Sequence, residues 1–228
     1  MLFRSAATTY LAETARSGSR AYSVSWQGAS QEIASAVGAL VGFSLSLVMT
    51  GAQLSSYGWR ITLGLGLVIV PVALVLRTSL PETLGSTDQQ PPAARLDRSA
   101  LEIVLTAAVV CTVMTITGYF FKFMATFGQE TLHLSASAAL AGQLMNHVAS
   151  TGSILAGGWI ADRYGRRAVM VPSQVAFTIC LVPVFQLLTG HPGVWTFVLG
   201  NLVLATVGGL MVAPLFLVMI DSLPSGLR

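Results

Sequence analysis

The chain has 228 residues, 54% of them hydrophobic and only 9% charged. A soluble domain carries about 25% charged residues, so this composition excludes a globule covered by water on all sides. The formal charge of +3 does not point to nucleic acid, because the basic residues sit between apolar runs, as they do in membrane proteins.

A helix needs about 20 apolar residues to cross a hydrocarbon core of about 30 Å. Met1 to Ala12 is too short for this and reads as the tail of a helix whose beginning lies outside the chain; it has no signal-peptide pattern. Six apolar runs follow: Trp26–Thr50, Ile61–Leu76 with the aromatic lead-in Tyr57–Trp59, Leu101–Phe127, Ser135–Ala161, Ala168–Leu188 and Val194–Ile220. In lipid each backbone N–H and C=O needs a partner within its own segment, and barrel-type alternation is lacking, so these runs predict an all-α membrane protein. Glycines and prolines within them, such as Gly64, Gly66, Pro71, Pro172 and Pro183, are tolerated in membrane helices. Gly38 and Gly42 have a spacing suited to close helix packing. Cys111 and Cys180 lie inside apolar runs without metal-ligand spacing.

With the connection Glu13–Ser25 in the cytoplasm, alternation leaves Arg16, Arg20, Arg77, Arg95, Arg98, Arg163, Arg166, Arg167 and Arg228 inside and Arg60 outside. This is the positive-inside asymmetry. The stretch Thr78–Ser99 is rich in proline, glutamine and serine and reads as a flexible cytoplasmic linker. It divides the chain into residues 1–77, the linker 78–99, and residues 100–228.

The most specific signal is the run Gly158-Trp159-Ile160-Ala161-Asp162-Arg163-Tyr164-Gly165-Arg166-Arg167. Gly165 permits a turn that other residues resist. Asp162 suits arginine side chains or the positive N-terminal end of a helix. Arg163, Arg166 and Arg167 keep the turn cytoplasmic. This G-x-x-x-D-R-x-G-R-R pattern resembles the signature loop of the major facilitator superfamily. Tyr10-Leu11-Ala12-Glu13, Ser25-Trp26, Tyr57-Gly58-Trp59-Arg60-Ile61, Leu80-Pro81-Glu82-Thr83 and Leu223-Pro224-Ser225-Gly226-Leu227-Arg228 resemble, in order, stretches of its metabolite:proton symporter branch of proline/betaine, citrate and ketoglutarate carriers. Gly226 departs from the arginine usual there.

That resemblance implies a twelve-helix fold in two halves, of which this chain covers the end of the fourth helix through the tenth. The expected architecture is therefore a partial bundle of six complete transmembrane helices plus the tail of one more. Residues 1–77 belong to the first half and 100–228 to the second. The family's loop after its eighth helix packs near the start of the fifth, so Asp162 is expected beside the turn Ser25–Gly28. The resemblance also implies proton-coupled symport of a small polar metabolite such as an organic acid or osmolyte, in a bacterial inner membrane. The expected partners are lipid, substrate, protons and the missing helices of the same gene region, without which this chain is not expected to transport.

Polar groups deep in a membrane are costly and are functional candidates. Gln143, Asn146 and His147 share one helical face, with His147 near mid-span, where it suits a coupling proton. Glu32 and Lys122 are the other intramembrane charges, and Tyr119, Gln31 and Asn201 are lesser candidates. Each has a plainer reading as interhelical glue or a snorkelling side chain. The sequence has no catalytic triad motif, metal set, Walker loop or dinucleotide pattern, so no enzyme activity or cofactor is expected. A non-transporting membrane module is the competing reading.

Overall fold

The structure, a computed structural model, describes residue 15, residues 18–79 and residues 98–222. Among them all regular structure is helical. The expectations for the opening helix tail, the motif Tyr10–Glu13, most of the linker and the stretches Leu80–Thr83 and Leu223–Arg228 fall outside the described residues.

Helix α1 spans Arg20–Val48. It begins six residues before the apolar run that announces it, because its first turn is amphipathic and polar. A corner follows at Thr50, whose hydroxyl accepts from the Gln53 N–H at 3.4 Å while the Gln53 side chain accepts from the Thr50 N–H at 3.0 Å. This reciprocal capping satisfies two orphan donors where the chain turns back. A π-helical turn, Leu54–Gly58, leads into α2, Trp59–Gly66, and then α3, Ile69–Ser79.

The run Ile61–Leu76 was expected to be one span, but it is interrupted at Leu67–Val68. Pro71 supplies the reason: it has no N–H to donate, and its ring crowds the carbonyl four residues back, which is that of Leu67. Gly64 and Gly66 weaken the preceding turn further.

Helix α4 spans Arg98–Thr126 and ends in a second π-helical turn, Phe127–Thr131. Helix α5, Ala136–Tyr164, is capped by Ser135, whose hydroxyl accepts from the Ala138 N–H at 3.2 Å. Helix α6, Arg166–Gly190, stays helical through Pro172 and Pro183. Helix α7, Val194–Leu210, runs on through Met211 into α8, Val212–Ser222.

Among the described residues four helical segments are long and apolar enough to cross a membrane: Arg20–Val48, Ala108–Thr131, Arg166–Gly190 and Val194–Met219. Six were expected. The interrupted α2–α3 segment is one shortfall. The other is α5, whose 29 residues suffice in length but whose serines, Gln143, Asn146 and His147 make it more polar. α5 lies between α1 and α7 and buries glycines, alanines and polar side chains against them, so it does not need a greasy surface.

Two apolar clusters anchor the packing. Ala21, Val24, Ala161, Val169 and Leu217 join α1, α5, α6 and α8 at one end. Met124, Leu132, Leu188 and Phe197 join α4, α6 and α7 at the other. Phe197 is fully buried, its ring lying where a side chain on Gly128 or Gly142 would have to sit.

Candidate functional site

α1 and α5 pack antiparallel along nearly their whole length. From the outer end inward, Gly42 meets Leu140, Glu32 meets His147, Gly28 meets Ile154, and Ala21 and Ser25 meet Gly158. A Cβ on Gly158 would stand 2.8 Å from both the Ala21 carbonyl oxygen and the Ser25 Cβ. A Cβ on Gly157 would run into the backbone carbonyl of Leu210 at the end of α7. Two adjacent glycines thus let α5 press α1 on one side and α7 on the other, and residues bearing side chains would push both away. Gly158 was singled out from the motif; Gly157 was not, because it lies just before the pattern begins. Of the Gly38/Gly42 pair, Gly42 touches Leu140, whereas a Cβ on Gly38 would meet nothing within 4 Å.

Below this crossing the Asp162 carboxylate caps α1. Its Oδ1 accepts from the Ala21 N–H and its Oδ2 from the Tyr22 N–H, both at 2.8 Å. These are first-turn donors with no intrahelical partner, and the negative charge sits at the positive end of the helix dipole. Ser19, the residue before the helix, makes no side-chain cap there, so a residue 141 positions along the chain does the capping. The expected turn was Ser25–Gly28. The contact falls one turn earlier because α1 starts at Arg20, and Ser25 instead abuts Gly158.

Gly165 has φ +91° and links Tyr164 of α5 directly to Arg166 of α6. The Arg163 guanidinium lies 5.7 Å from the Trp159 ring centre and 5.9 Å from that of Tyr164. Gly18, Ser19, Tyr22, Trp159, Asp162 and Arg163 line a shallow hollow of about 310 Å³. Arg167 is exposed, and Arg166 is half-buried at the start of α6.

Midway along the interface, His147 Nδ1 lies 2.7 Å from Glu32 Oε2, with both side chains largely covered. His147 is about 16 Å from the start of α5 and about 22 Å from Asp162 by helical rise. Both residues were candidates from their cost in a membrane; that they pair was not foreseen, since nothing local in the sequence relates positions 115 residues apart. Thr151 donates to the His147 carbonyl at 2.8 Å.

Gln143, one turn from His147, points away from α1. Its Nε2 donates to the Phe121 carbonyl at 2.7 Å and reaches the Lys122 carbonyl at 3.5 Å, tying α5 to α4. Asn146 is buried, and its Nδ2 has no hydrogen-bond partner. Asn201 on α7 is equally buried; its Nδ2 donates to the Phe197 carbonyl at 2.9 Å, while its Oδ1 has no partner. Gln31 reaches only the Gln27 carbonyl on its own helix, at 3.4 Å. Lys122 and Tyr119 are exposed on α4, with the ammonium 5.2 Å from the Tyr119 ring centre. Of the three residues expected to share one face, Gln143 thus bonds to α4 and His147 to α1, while Asn146 lies buried with its amide nitrogen unpartnered. No group of three or more His, Cys, Asp or Glu gathers to hold a metal among the described residues.

The sequence profile of the Major Facilitator Superfamily matches residues 2–228. The chain belongs to the Major Facilitator Superfamily. Its apolar helices make it an integral membrane protein. It is 34% identical over 191 residues to the citrate–proton symporter of Salmonella typhi, a match covering 81% of this chain and 44% of the relative. It is 32% identical over 191 residues to the citrate–proton symporter of Klebsiella pneumoniae, covering 81% and 43%. A third relative, the ectoine/proline transporter ProP of Corynebacterium glutamicum, is 28% identical over 235 residues, covering 91% and 45%. The chain spans less than half the length of these relatives. No solved structure matches it.

Proposed function

We propose that this chain forms part of a proton-coupled symporter for a small organic acid in a bacterial inner membrane. The observation that carries the reading is the His147–Glu32 pair at 2.7 Å, midway along the α1–α5 interface. A histidine and a carboxylate in contact between helices can hold one proton between them and release it when the helices part. Similarity to two citrate–proton symporters supports the choice of an organic acid and a proton.

In this reading residues 1–77 belong to one half of the carrier and 100–228 to the other, joined by the linker 78–99. α5 counts as a fifth span and the broken α2–α3 segment as a sixth. Alternating access requires the two halves to rock about a midplane site. α1 and α5 lie on opposite sides of that division. Asp162 on the α1 terminus is then a cytoplasmic latch, with Gly158 providing the close approach and Gly165, Arg163, Arg166 and Arg167 holding the loop in place. A proton held between His147 and Glu32 favours the paired state of α1 and α5, so that parting of the helices and proton release are linked.

The test measures labelled citrate in membrane vesicles. The chain is expressed by itself and, in parallel, in place of the matched stretch of the Salmonella typhi symporter. Accumulation driven by an inward proton gradient and abolished by a protonophore is expected from the second protein. Absence of gradient-driven citrate uptake from both would overturn the reading.

A further inference from the structure

α4 leaves an arc exposed beyond its core contacts, and that arc is chemically divided. Phe120, Phe121 and Phe127 turn inward onto Phe177 and Phe185. On the outer side Thr112, Thr115, Tyr119, Lys122 and Thr126 recur at spacings of three and four, which aligns them on one face, and all five are exposed. Beside them Leu105, Val109, Ile116 and Phe123 form an apolar strip, each more than half exposed.

The apolar strip suits lipid or another greasy helix. The polar one does not suit lipid to the same degree. Thr112 and Thr115 donate back to the carbonyls of Ala108 and Cys111 at 2.8 and 2.7 Å, which shields their hydroxyl protons. Lys122 has no such relief. Its ammonium has the Tyr119 ring 5.2 Å away, and no carboxylate pairs with it among the described residues. An ammonium within a membrane-length helix needs water or an anion. The backbone beneath it is fixed by Gln143, one turn from His147.

We propose that Lys122, backed by Tyr119, is a recognition point for a substrate carboxylate. The threonine strip continues as a wetted wall of the path for about 15 Å toward the cytoplasmic end of α4. This rests on the transport reading above and adds to it the residue that selects for an anion. Lys122 supplies charge and hydrogen-bond donors. The ring face of Tyr119 steadies the ammonium when no anion is bound. A lipid phosphate reached by a snorkelling Lys122 would satisfy the same ammonium, and the test separates the two.

Cys111 and Cys180 are first replaced by alanine, and single cysteines are then placed at Thr115 or Ile116 in the full chain in membranes. A membrane-impermeant, charged thiol reagent is expected to label T115C and to spare I116C. Citrate is expected to slow labelling of T115C, and glycerol is not. Adding Lys122→Gln should raise the protecting citrate concentration about tenfold or more, with Lys122→Arg restoring much of the effect. T115C that resists the reagent, or protection by citrate that Lys122→Gln leaves unchanged, would overturn the proposal and favour a lipid-facing lysine. This readout needs no uptake, so loss of gradient-driven transport would count against the coupling reading and not against this one.

Discussion

α5 and α6 are joined through Gly165 and differ in almost every respect. α6 is long and apolar enough to cross a membrane with two prolines in it, and most of its surface is open. α5 is as long but less apolar, and it packs against α1 and α7 with eleven buried residues, among them Gly142, Gln143, Asn146, Ser150, Ser153, Gly157 and Gly158. The α7–α8 span is also half buried and yet stays strongly apolar, so burial alone does not lower hydropathy. In α5 it is lowered by small and polar residues that allow close approach and cross-helix hydrogen bonds.

The contrast can be broken most severely at the glycine crossing. Gly158→Leu forces a side chain into Ala21 and Ser25 and is expected to cost at least about 3 kcal/mol. In detergent this reads as a fall of about 6–12 °C in melting temperature. An unchanged melting curve would mean that α1 does not sit on α5 as described.

The latch comes next. Asp162→Asn removes the charge and leaves one acceptor oxygen for two N–H groups, a loss of about 1–3 kcal/mol. Ser25 is 1% exposed behind this contact. A cysteine there should react about five- to tenfold faster with a thiol reagent in the Asp162→Asn background.

Glu32→Gln or His147→Gln breaks the mid-interface pair with a smaller effect on folding, because both residues keep some exposure. In the hybrid with the Salmonella typhi symporter proposed above, uptake should then no longer follow the proton gradient, while exchange of substrate across the membrane continues. Gradient-driven accumulation that survived both variants would remove the pair from the coupling path. The smallest effect belongs to Gly152→Ala on α5, where a Cβ meets nothing within 4 Å. It should change stability by less than about 0.5 kcal/mol, or raise it slightly through helix propensity.

Much of this is legible in the sequence. The apolar runs announce the helices, and the order of Gly158, Asp162, Gly165 and the arginines announces the loop, because each has a local reason to be that residue type. The family resemblance, and nothing local, traced Asp162 to the start of α1, with an error of one turn that came from reading the helix start off its greasy part. The interruption at Leu67–Val68 was readable from Pro71 but was outweighed by the apolar run around it. What stayed hidden is tertiary: the His147–Glu32 pair, the Gly157 contact with Leu210 and the outward turn of Gln143 toward α4 depend on which helix lies alongside which. Asn146 and Asn201 are candidates from the sequence whose burial and orphan amide atoms only the packed bundle reveals.

The register between α1 and α5 limits how they can move. Gly28 and Gly158 mark close approaches toward the Asp162 end of the contact, so a lengthwise slip would drive bulky groups into clefts that fit none. At the opposite end Gly42 makes only ordinary contact and Gly38 none. The pair is pinned at one end like a hinge leaf, so any splaying opens first, and widest, away from the pin.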